Sequence, residues 1–274
     1  MSAERSRVDE LVLFGHRLEL YDLSDTLSNS TSAHEPNPHQ IEYMDHEATL
    51  PIAAQLFGLE AQHFRNGLSW AYERAELTTH SGTHVDAPWH YAPDAPGGQR
   101  AMTIDEIPLS WFVGRGVVLD FHELDPQLGA TDADVQRALA EAGHELRPGD
   151  VVLIRTDASE HFSEPGYEHY GCGLRRSATE WLVDNGVRLI GIDAYTLDRT
   201  IPVMAEEAKE GAPDQFWESH YLGAEKPYCH IERLSGLAGL PSPTGFYVVA
   251  LPFRIEAASA GWARVVAIYD KGAV

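Results

Sequence analysis

The sequence predicts an α/β fold: a single domain with a mixed, partly parallel sheet flanked by helices. First, strand, helix, strand, helix and strand follow one another between residues 116 and 193, an order typical of parallel pairing. Second, strand-like segments at 246–251 and 264–269 are joined by an irregular connection, which makes the sheet mixed. Third, 274 residues that are 43% hydrophobic can bury a substantial core, and no repeat or linker divides them.

The N-terminal part is predicted to be irregular before the sheet begins. Residues 1–7 are polar and expected to be loose, and the segment 1–20 is interpreted as an extension that includes the first strand. Loose alternation of apolar and charged residues over 11–23 predicts this strand. The main domain is expected to occupy residues 21–274.

Loops and short elements are expected between residues 24 and 100. Residues 24–40 are rich in Ser, Asn, Pro and His without periodicity, which predicts a long loop of the kind that is often functional. Short helical pieces are expected at 51–57 and 59–64, and a strand at 68–79. Turn residues throughout 91–100 predict a second loop that would suit a lid or a subunit contact.

The central part of the chain carries the clearest regular pattern. Apolar runs rich in β-branched residues at 116–121, 151–156 and 187–193 predict three buried strands. Thr131 is suited to cap a helix that continues to residue 142, and a second helix is expected at 177–185, before a glycine.

The charge balance excludes several classes of partner. The chain has 42 acidic and 20 basic residues, a formal charge of −22, so it repels nucleic acid and anionic membranes. No apolar run approaches the roughly 18 to 20 residues of a membrane span. Cys172 and Cys229 are too few for a disulfide framework, and the N-terminus lacks the pattern of a signal peptide. We therefore expect a cytoplasmic protein.

Residues 79–90 concentrate groups that bind metals. His80, His84 and Asp86 offer nitrogen and oxygen donors suited to a divalent ion such as Zn²⁺ or Mn²⁺. His84 and Asp86, two residues apart, share one face of a strand, and Gly82 lets the chain bend so that His80 joins them. We expect a strand that ends in a ligand-bearing loop. Chance clustering among 14 histidines is the alternative.

Further ligands must come from elsewhere, because three donors leave positions on the ion open. His220 lies among aromatic residues, and His230 and Glu232 follow ten and twelve residues later. Each is a weak signal alone, and Glu232 is typical of a solvated helix. Asp193 and Asp198 lie at and just beyond the end of a predicted strand, where α/β proteins often place site residues.

The chain resembles the metal-dependent hydrolases often called the cyclase family, which includes bacterial kynurenine formamidases and isatin hydrolases. The signature of that family is His-x-Gly-Thr-His-x-Asp-x-Pro-x-His. Every fixed position is present: His80, Gly82, Thr83, His84, Asp86, Pro88 and His90. The likeness continues in segments 21–24, 149–156, 191–193 and 250–252. It implies a swivelling β/β/α-like fold and a metal-dependent hydrolase.

The resemblance also implies roles for individual residues. In the family a later His, followed twelve residues on by a Glu, completes the metal centre, and His230 is not part of that pattern. The implied ligands are His80, His84, Asp86, His220 and Glu232, holding one or two Zn²⁺ ions, with Mn²⁺ as the alternative. His90 is expected to be a general base and then a general acid, with a pKa near its usual value of about 6.5.

The substrate is expected to be a small aromatic or cyclic amide, formamide or lactam whose C–N bond is hydrolysed by metal-activated water. Trp70, Trp89 and Trp217 are expected to line its binding site, and an acidic segment at 195–216 is longer than in the family. A lactone hydrolase and a polyketide-type cyclase or dehydratase are alternatives, as is a non-catalytic metal-binding module. The resemblance implies a homodimer or homotetramer, with residues 24–40 or 91–100 reaching a neighbouring subunit.

Overall fold

The computed structural model describes residues 8–32, 35 and 37–274. Residues 1–7, which we expected to be loose, lie outside the described part, as do positions 33, 34 and 36 of the predicted loop. The chain divides into two compact units, one of Met1–Leu27 with Thr79–Val274 and the other of Ser28–Thr78. The boundary predicted between 20 and 21 stays a prediction.

The regular elements follow one another along the chain as short strands and helices. The strands are β1 (Val8–Leu13), β2 (His16–Asp22), β3 (Gln40–Met44), β4 (Tyr72–Glu76), β5 (His84–Asp86), β6 (Asp94–Ala95), β7 (Gln99–Arg100), β8 (Val113–Asp120), β9 (Val151–Arg155), β10 (Leu189–Ile192), β11 (Cys229–Glu232), β12 (Phe246–Val249), β13 (Ala260–Trp262) and β14 (Val266–Ala273). The α-helices are α1 (Asn29–Ser32), α2 (Leu50–Phe57), α3 (Pro88–Tyr91), α4 (Asp132–Glu141), α5 (Arg176–Asp184), α6 (Ile201–Lys209) and α7 (Glu218–Glu225).

One large sheet organises the larger unit. Its ten strands lie in the order β1-β2-β14-β12-β8-β9-β10-β11-β5-β13. The four strands β8, β9, β10 and β11 are parallel, and helices connect them. The strands on both sides of this group pair antiparallel. The predicted α/β class with a mixed, partly parallel sheet flanked by helices is therefore confirmed.

The core lies on both faces of the parallel strands. Helices α4 and α5 bury Val135 and Leu182 against Val152 and Ile190 on one face. Alternate residues of the same strands form a second apolar cluster on the other face. Helix α4 begins where the sequence predicts, because Thr131 forms a capping box at its N-terminus.

The smaller unit contains α1, α2 and the antiparallel pair β3 and β4. Helix α2 matches the helical segment predicted at 51–57 and ends at Gly58, whose φ of 66° is left-handed. The Trp70 ring packs edge-on against the rings of Phe57 and Phe64, with centroids 6.0 and 6.3 Å away.

Three local predictions are wrong. The loop predicted at 24–40 contains helix α1, since the Asn29 side chain pairs with both backbone groups of Ile41 in β3. The strand predicted at 68–79 does not enter the histidine motif, because β4 ends at Glu76 and pairs with β3. The loop predicted at 91–100 contains the paired strands β6 and β7. The contacts of Asn29 with Ile41 and of β3 with β4 join segments that are distant in sequence. The periodicity of one segment gives no information about such contacts.

The long acidic segment at 195–216 is helical at its centre, where α6 lies. Glu207 of this helix pairs with Arg199, a guanidinium that is 1% exposed, with 2.6 Å between Nη2 and Oε2. Glu207 therefore neutralises the buried charge of Arg199, and this part of the acidic segment is an ordered helix. Within residues 8–32, 35 and 37–274, no helix combines the length and apolar character needed to cross a bilayer.

Candidate metal centre

Strand β5 forms the floor of the candidate site, between β11 and β13. His84 and Asp86 are two residues apart on this strand, so their side chains lie on the same face. In the antiparallel pairing with β11, His230 lies directly opposite Asp86 and Glu232 directly opposite His84. Residues directly opposite in such a pair share a face. The register therefore brings four metal-binding side chains together.

His80 reaches this cluster from the turn that precedes β5. Its Nδ1 lies 2.9 Å from Asp86 Oδ1, and its Nε2 lies 3.0 Å from Ser259 Oγ. The turn depends on Gly82, whose φ of 65° is left-handed. The Thr83 hydroxyl donates to the backbone oxygen of Arg233 at 2.6 Å. The predicted order is reversed here: the turn that carries His80 comes before β5, which begins at His84 and pairs with β11 and β13 on its two sides.

His220 enters from helix α7 and is oriented by Asp198. Its Nδ1 donates to Asp198 Oδ2 at 2.5 Å, while Asp198 Oδ1 accepts the backbone N–H of Ser219 at 2.6 Å. His220 Nε2 is thereby directed towards Glu232, with 3.7 Å to Oε1. Asp198 follows β10, so the position noted in the sequence has a role in orienting a cluster histidine.

The donor atoms form two sets that share Asp86. One set is His80, His84 and Asp86, and the other is Asp86, His220, His230 and Glu232. Within each set the ligand atoms lie within 4.8 Å of one another. All five ligands predicted from the sequence are thus brought together, and their binding of an ion stays a prediction.

Unpartnered buried atoms show that the residues fit a cation. Nε2 of His84, Nε2 of His230 and both carboxylate oxygens of Asp86 are buried and make no hydrogen bond of suitable geometry with described residues. Such atoms lose free energy unless a partner satisfies them. Imidazole nitrogens and carboxylate oxygens are donors that suit Zn²⁺ and Mn²⁺. One or two divalent ions would therefore complete this cluster.

The electrostatics are those of a site that holds positive charge. Burial would raise the pKa of Asp86, but the imidazoles of His84, His230 and His80 hold it well below its usual value. Burial lowers the pKa of His230, yet the carboxylates of Asp86 and Glu232 outweigh it and raise that pKa to about 9. Without an ion, the carboxylates of Asp86 and Glu232 thus favour a protonated His230. A bound cation would displace that proton.

His90, the predicted general base, lies on helix α3 beside the cluster. Its Nε2 is 4.0 Å from Asp86 Oδ2, and its ring centroid is 4.3 Å from that of His80. Burial lowers the pKa of His90 to about 4 although Asp86 opposes this shift. The expectation of a pKa near 6.5 is therefore wrong. The imidazole is neutral at pH 7 and available to accept a proton.

The three predicted substrate-binding tryptophans differ in their surroundings. Trp217 stacks on His220, with centroids 4.6 Å apart and planes 9° apart, and its centroid lies 5.6 Å from that of His90. Its φ of 53° is unusual for a bulky residue, and such strain is often found at functional sites. Trp89 lies under the Arg100 guanidinium, and Trp70 belongs to the smaller unit. Their substrate contacts stay predictions.

Two buried residues of the cluster were missed in the sequence. His230 lies outside the family pattern, and Tyr91 follows the last fixed position of the motif, so the pattern identifies neither of them. The available signal was the spacing of His230 and Glu232, which share a face if the segment is a strand. On a helix, residues two apart do not share a face, so a helical interpretation of this segment separates His230 from Glu232.

Comparisons with known proteins agree with this geometry. The model of a family described as "putative cyclase" matches residues 21–199. Kynurenine formamidase of Erythrobacter litoralis (strain HTCC2594) is 28% identical over 196 residues, which cover 70% of this chain and 74% of the relative. An isatin hydrolase bound to the product analogue thioisatinate has a TM-score of 0.72 at 21% identity, covering 93% of each chain. Isatin hydrolase A from Ralstonia solanacearum has a TM-score of 0.70 at 24% identity, covering 92% of each chain. These two structures share the fold.

Proposed function

Because this chain belongs to the cyclase family, as its motif predicted, we propose that it is a metal-dependent hydrolase cleaving the C–N bond of an amide, formamide or lactam in a small aromatic or cyclic substrate. The observation that carries the proposal is the convergence of five motif-derived ligands on two donor sets that share Asp86. The relatives named kynurenine formamidase and isatin hydrolase are both hydrolases, which favours hydrolysis over ring closure.

The proposed ligands divide between two ions. His80, His84 and Asp86 would hold the first, and Asp86, His220 and Glu232 the second. The carboxylate of Asp86 belongs to both sets, which suits it to bridge. Zn²⁺ is the proposed metal and Mn²⁺ the alternative, because both accept nitrogen and oxygen ligands. When bound, a divalent ion lowers the pKa of water towards about 7 and polarises a carbonyl oxygen.

His90 is the proposed catalytic residue. As a neutral imidazole it would accept a proton from the water that attacks the carbonyl carbon, forming the new C–O bond. It would return that proton to the nitrogen as the C–N bond breaks, so that an amine and a carboxylic acid are released. Its side chain is 23% exposed although it lies 4.0 Å from the fully buried Asp86 carboxylate, so it is accessible to a substrate.

Trp217 is proposed as the main aromatic contact of the substrate. Its ring lies against His220 and near His90, so a planar substrate beside it would place a carbonyl group close to the cluster. Its Nε1 is buried and makes no hydrogen bond with any described residue, and it is therefore a donor available to a substrate oxygen. Trp89 and Trp70 are retained as further proposed contacts.

Turnover with and without metal tests this function. The purified protein is incubated with an N-formyl aromatic amine, isatin and an aromatic lactone. We expect hydrolysis of an amide-type substrate, loss of activity with a chelator, and recovery when Zn²⁺ or Mn²⁺ is returned. Chelator-resistant turnover would contradict the proposal. His144→Ala is a matched control, because His144 is a half-buried histidine paired with Asp150 outside the cluster.

The same assay separates the alternatives. Preferred turnover of the lactone indicates an ester hydrolase, and a product that has lost water indicates a cyclase or dehydratase. A tightly bound ion without turnover of any substrate indicates a metal-binding module. Metal analysis of the purified protein distinguishes Zn²⁺ from Mn²⁺.

A cytoplasmic homodimer or homotetramer is proposed for the assembled enzyme. Cys172 and Cys229 are both buried and unpaired, which suits a reducing compartment. Strand β1 is at the end of the large sheet and exposes Val12 and Leu13, and the adjacent Phe14 is 93% exposed. An apolar edge strand of this kind is a surface that a second subunit can cover. Sedimentation equilibrium measures the assembly state.

A further inference from the structure

His230 is the cluster residue without a role in the proposed chemistry. It is fully buried, and strand register places it opposite Asp86 and on the same face as Glu232. Its Nε2 lies 3.0 Å from Asp86 Oδ2 and 3.2 Å from Glu232 Oε1. Nevertheless, this nitrogen is not aligned for a hydrogen bond with either carboxylate. This nitrogen faces the space between two carboxylates that are themselves proposed ligands.

Tyr91 fixes which nitrogen of His230 faces the cluster. The Tyr91 hydroxyl lies 3.0 Å from His230 Nδ1 and donates its proton to the backbone oxygen of Asp86 at 3.3 Å. Because the hydroxyl has a single proton, both contacts are hydrogen bonds only if it donates to the Asp86 oxygen and its own oxygen accepts the Nδ1–H of His230. The neutral ring consequently has its lone pair on Nε2, the form in which imidazole binds metals.

The same arrangement occurs at two of the proposed ligands. His84 Nδ1 donates to the backbone oxygen of Gly82 at 2.8 Å, and His220 Nδ1 donates to Asp198. In each case the outer nitrogen is fixed by a hydrogen bond and the inner Nε2 faces the carboxylates. Hydrogen bonds of this kind orient metal-binding histidines and set their tautomer. His230 is therefore built like a ligand.

Close packing holds Tyr91 in position. Its ring stacks on His230, with centroids 5.2 Å apart and planes 14° apart, and it also stacks on Tyr228. Helix α7 passes so near that a Cβ at Gly223 would lie 2.2 Å from Tyr91 Cδ2. The orientation of the His230 ring is thus set by buried contacts and does not depend on a mobile side chain.

We propose that His230 is a fourth protein ligand of the second ion, together with Asp86, His220 and Glu232. This inference rests on the proposed function, which places an ion in that donor set. Four protein ligands close the second site, whereas His80, His84 and Asp86 leave a position open at the first. His230 would therefore leave the second donor set without a free position, and a substrate would approach the set of His80, His84 and Asp86.

The competing explanation is that His230 is a protonated counter-ion for the two carboxylates. The two explanations predict opposite effects of removing the ring. Loss of a ligand weakens binding of the second ion, whereas loss of a positive charge strengthens cation binding or leaves it unchanged. The sign of the change in metal affinity thus decides between them.

The experiment compares His230→Ala with the wild-type holoenzyme in a competition titration against a metal-indicator dye, using Zn²⁺. We expect two ions in the wild type and a Kd for the second ion that rises about 100-fold or more in His230→Ala. Tyr91→Phe retains the ligand but loses its orienting hydrogen bond, and we expect a rise of about 10-fold. With Co²⁺ in the second site, the visible absorption of a four-coordinate ion should weaken in His230→Ala. His144→Ala should bind both ions as the wild type does.

Several outcomes would overturn the inference. An unchanged or lower second Kd in His230→Ala contradicts a ligand role for His230. An unchanged Kd in Tyr91→Phe contradicts the orienting role of the Tyr91 hydroxyl. Circular dichroism checks folding, and His230→Asn replaces His230→Ala if the latter does not fold. If His220→Ala also binds two ions normally, the proposed function fails instead, because the second ion then does not lie in this donor set.

Discussion

Replacing Asp86 with Asn should remove both ions and with them a large part of the thermal stability. Asp86 is fully buried and is the one carboxylate that belongs to both donor sets. An ion that binds only the folded state adds about 4 kcal/mol when its free concentration is about 1,000 times its Kd. Loss of two such ions therefore costs about 8 kcal/mol. In a chain of this size about 1 kcal/mol shifts Tm by about 2–4 °C, so the expected decrease is about 16–32 °C.

Differential scanning calorimetry with and without chelator isolates this effect. In chelator the two proteins should differ by only about 1–3 kcal/mol, the usual cost of a buried polar substitution. Asp150→Asn is the matched control, because Asp150 is also buried and paired with a histidine and an arginine but lies outside the cluster. That variant should keep the full metal-dependent rise in Tm. If Asp86→Asn keeps the same rise, the assignment of Asp86 to both ions is refuted.

Three further predictions concern catalysis. His90→Ala should lower kcat by about 10²–10⁴-fold, the range for a general base, while metal content measured by mass spectrometry stays at the wild-type value; lost metal would instead make His90 a ligand. Burial lowers the pKa of His90 to about 4, so the imidazole stays neutral when the pH decreases from 7 to about 5. At saturating metal, kcat/KM should therefore decrease only below about pH 5 and not near pH 6.5. Trp217→Ala should lower kcat/KM for an aromatic substrate about 3–10-fold through loss of a stacking contact, with Trp217→Phe close to the wild type; an equal loss for an aliphatic amide would contradict a stacking role.

The parallel part of the fold could be predicted because its signals are local. The segments 116–121, 151–156 and 187–193 are continuous apolar runs, and the structure places β8, β9 and β10 there. Helix α4 also begins after Thr131 as its capping preference indicates. These features depend on neighbours within a few residues, which a single sequence displays.

The second half of the site could not be predicted in the same way. Strand β5 has three residues and β11 has four, too few for a periodic pattern, and each is stabilised by partners far away in sequence. The local sequence around Glu232 is therefore typical of a surface helix, and only the family resemblance indicates a ligand. The family pattern does not include His230, whose place in the site follows from its pairing with Asp86.

The pairing of β5 with β11 has a consequence for folding. The two strands are separated by more than half of the chain, and their side chains alternate between faces with a period of two. A slip of one residue would turn the two β11 ligands away from the two on β5. An ion that requires all of them can bind only the correctly aligned strands. Metal binding would therefore favour the native register of β5 and β11 over registers shifted by one residue.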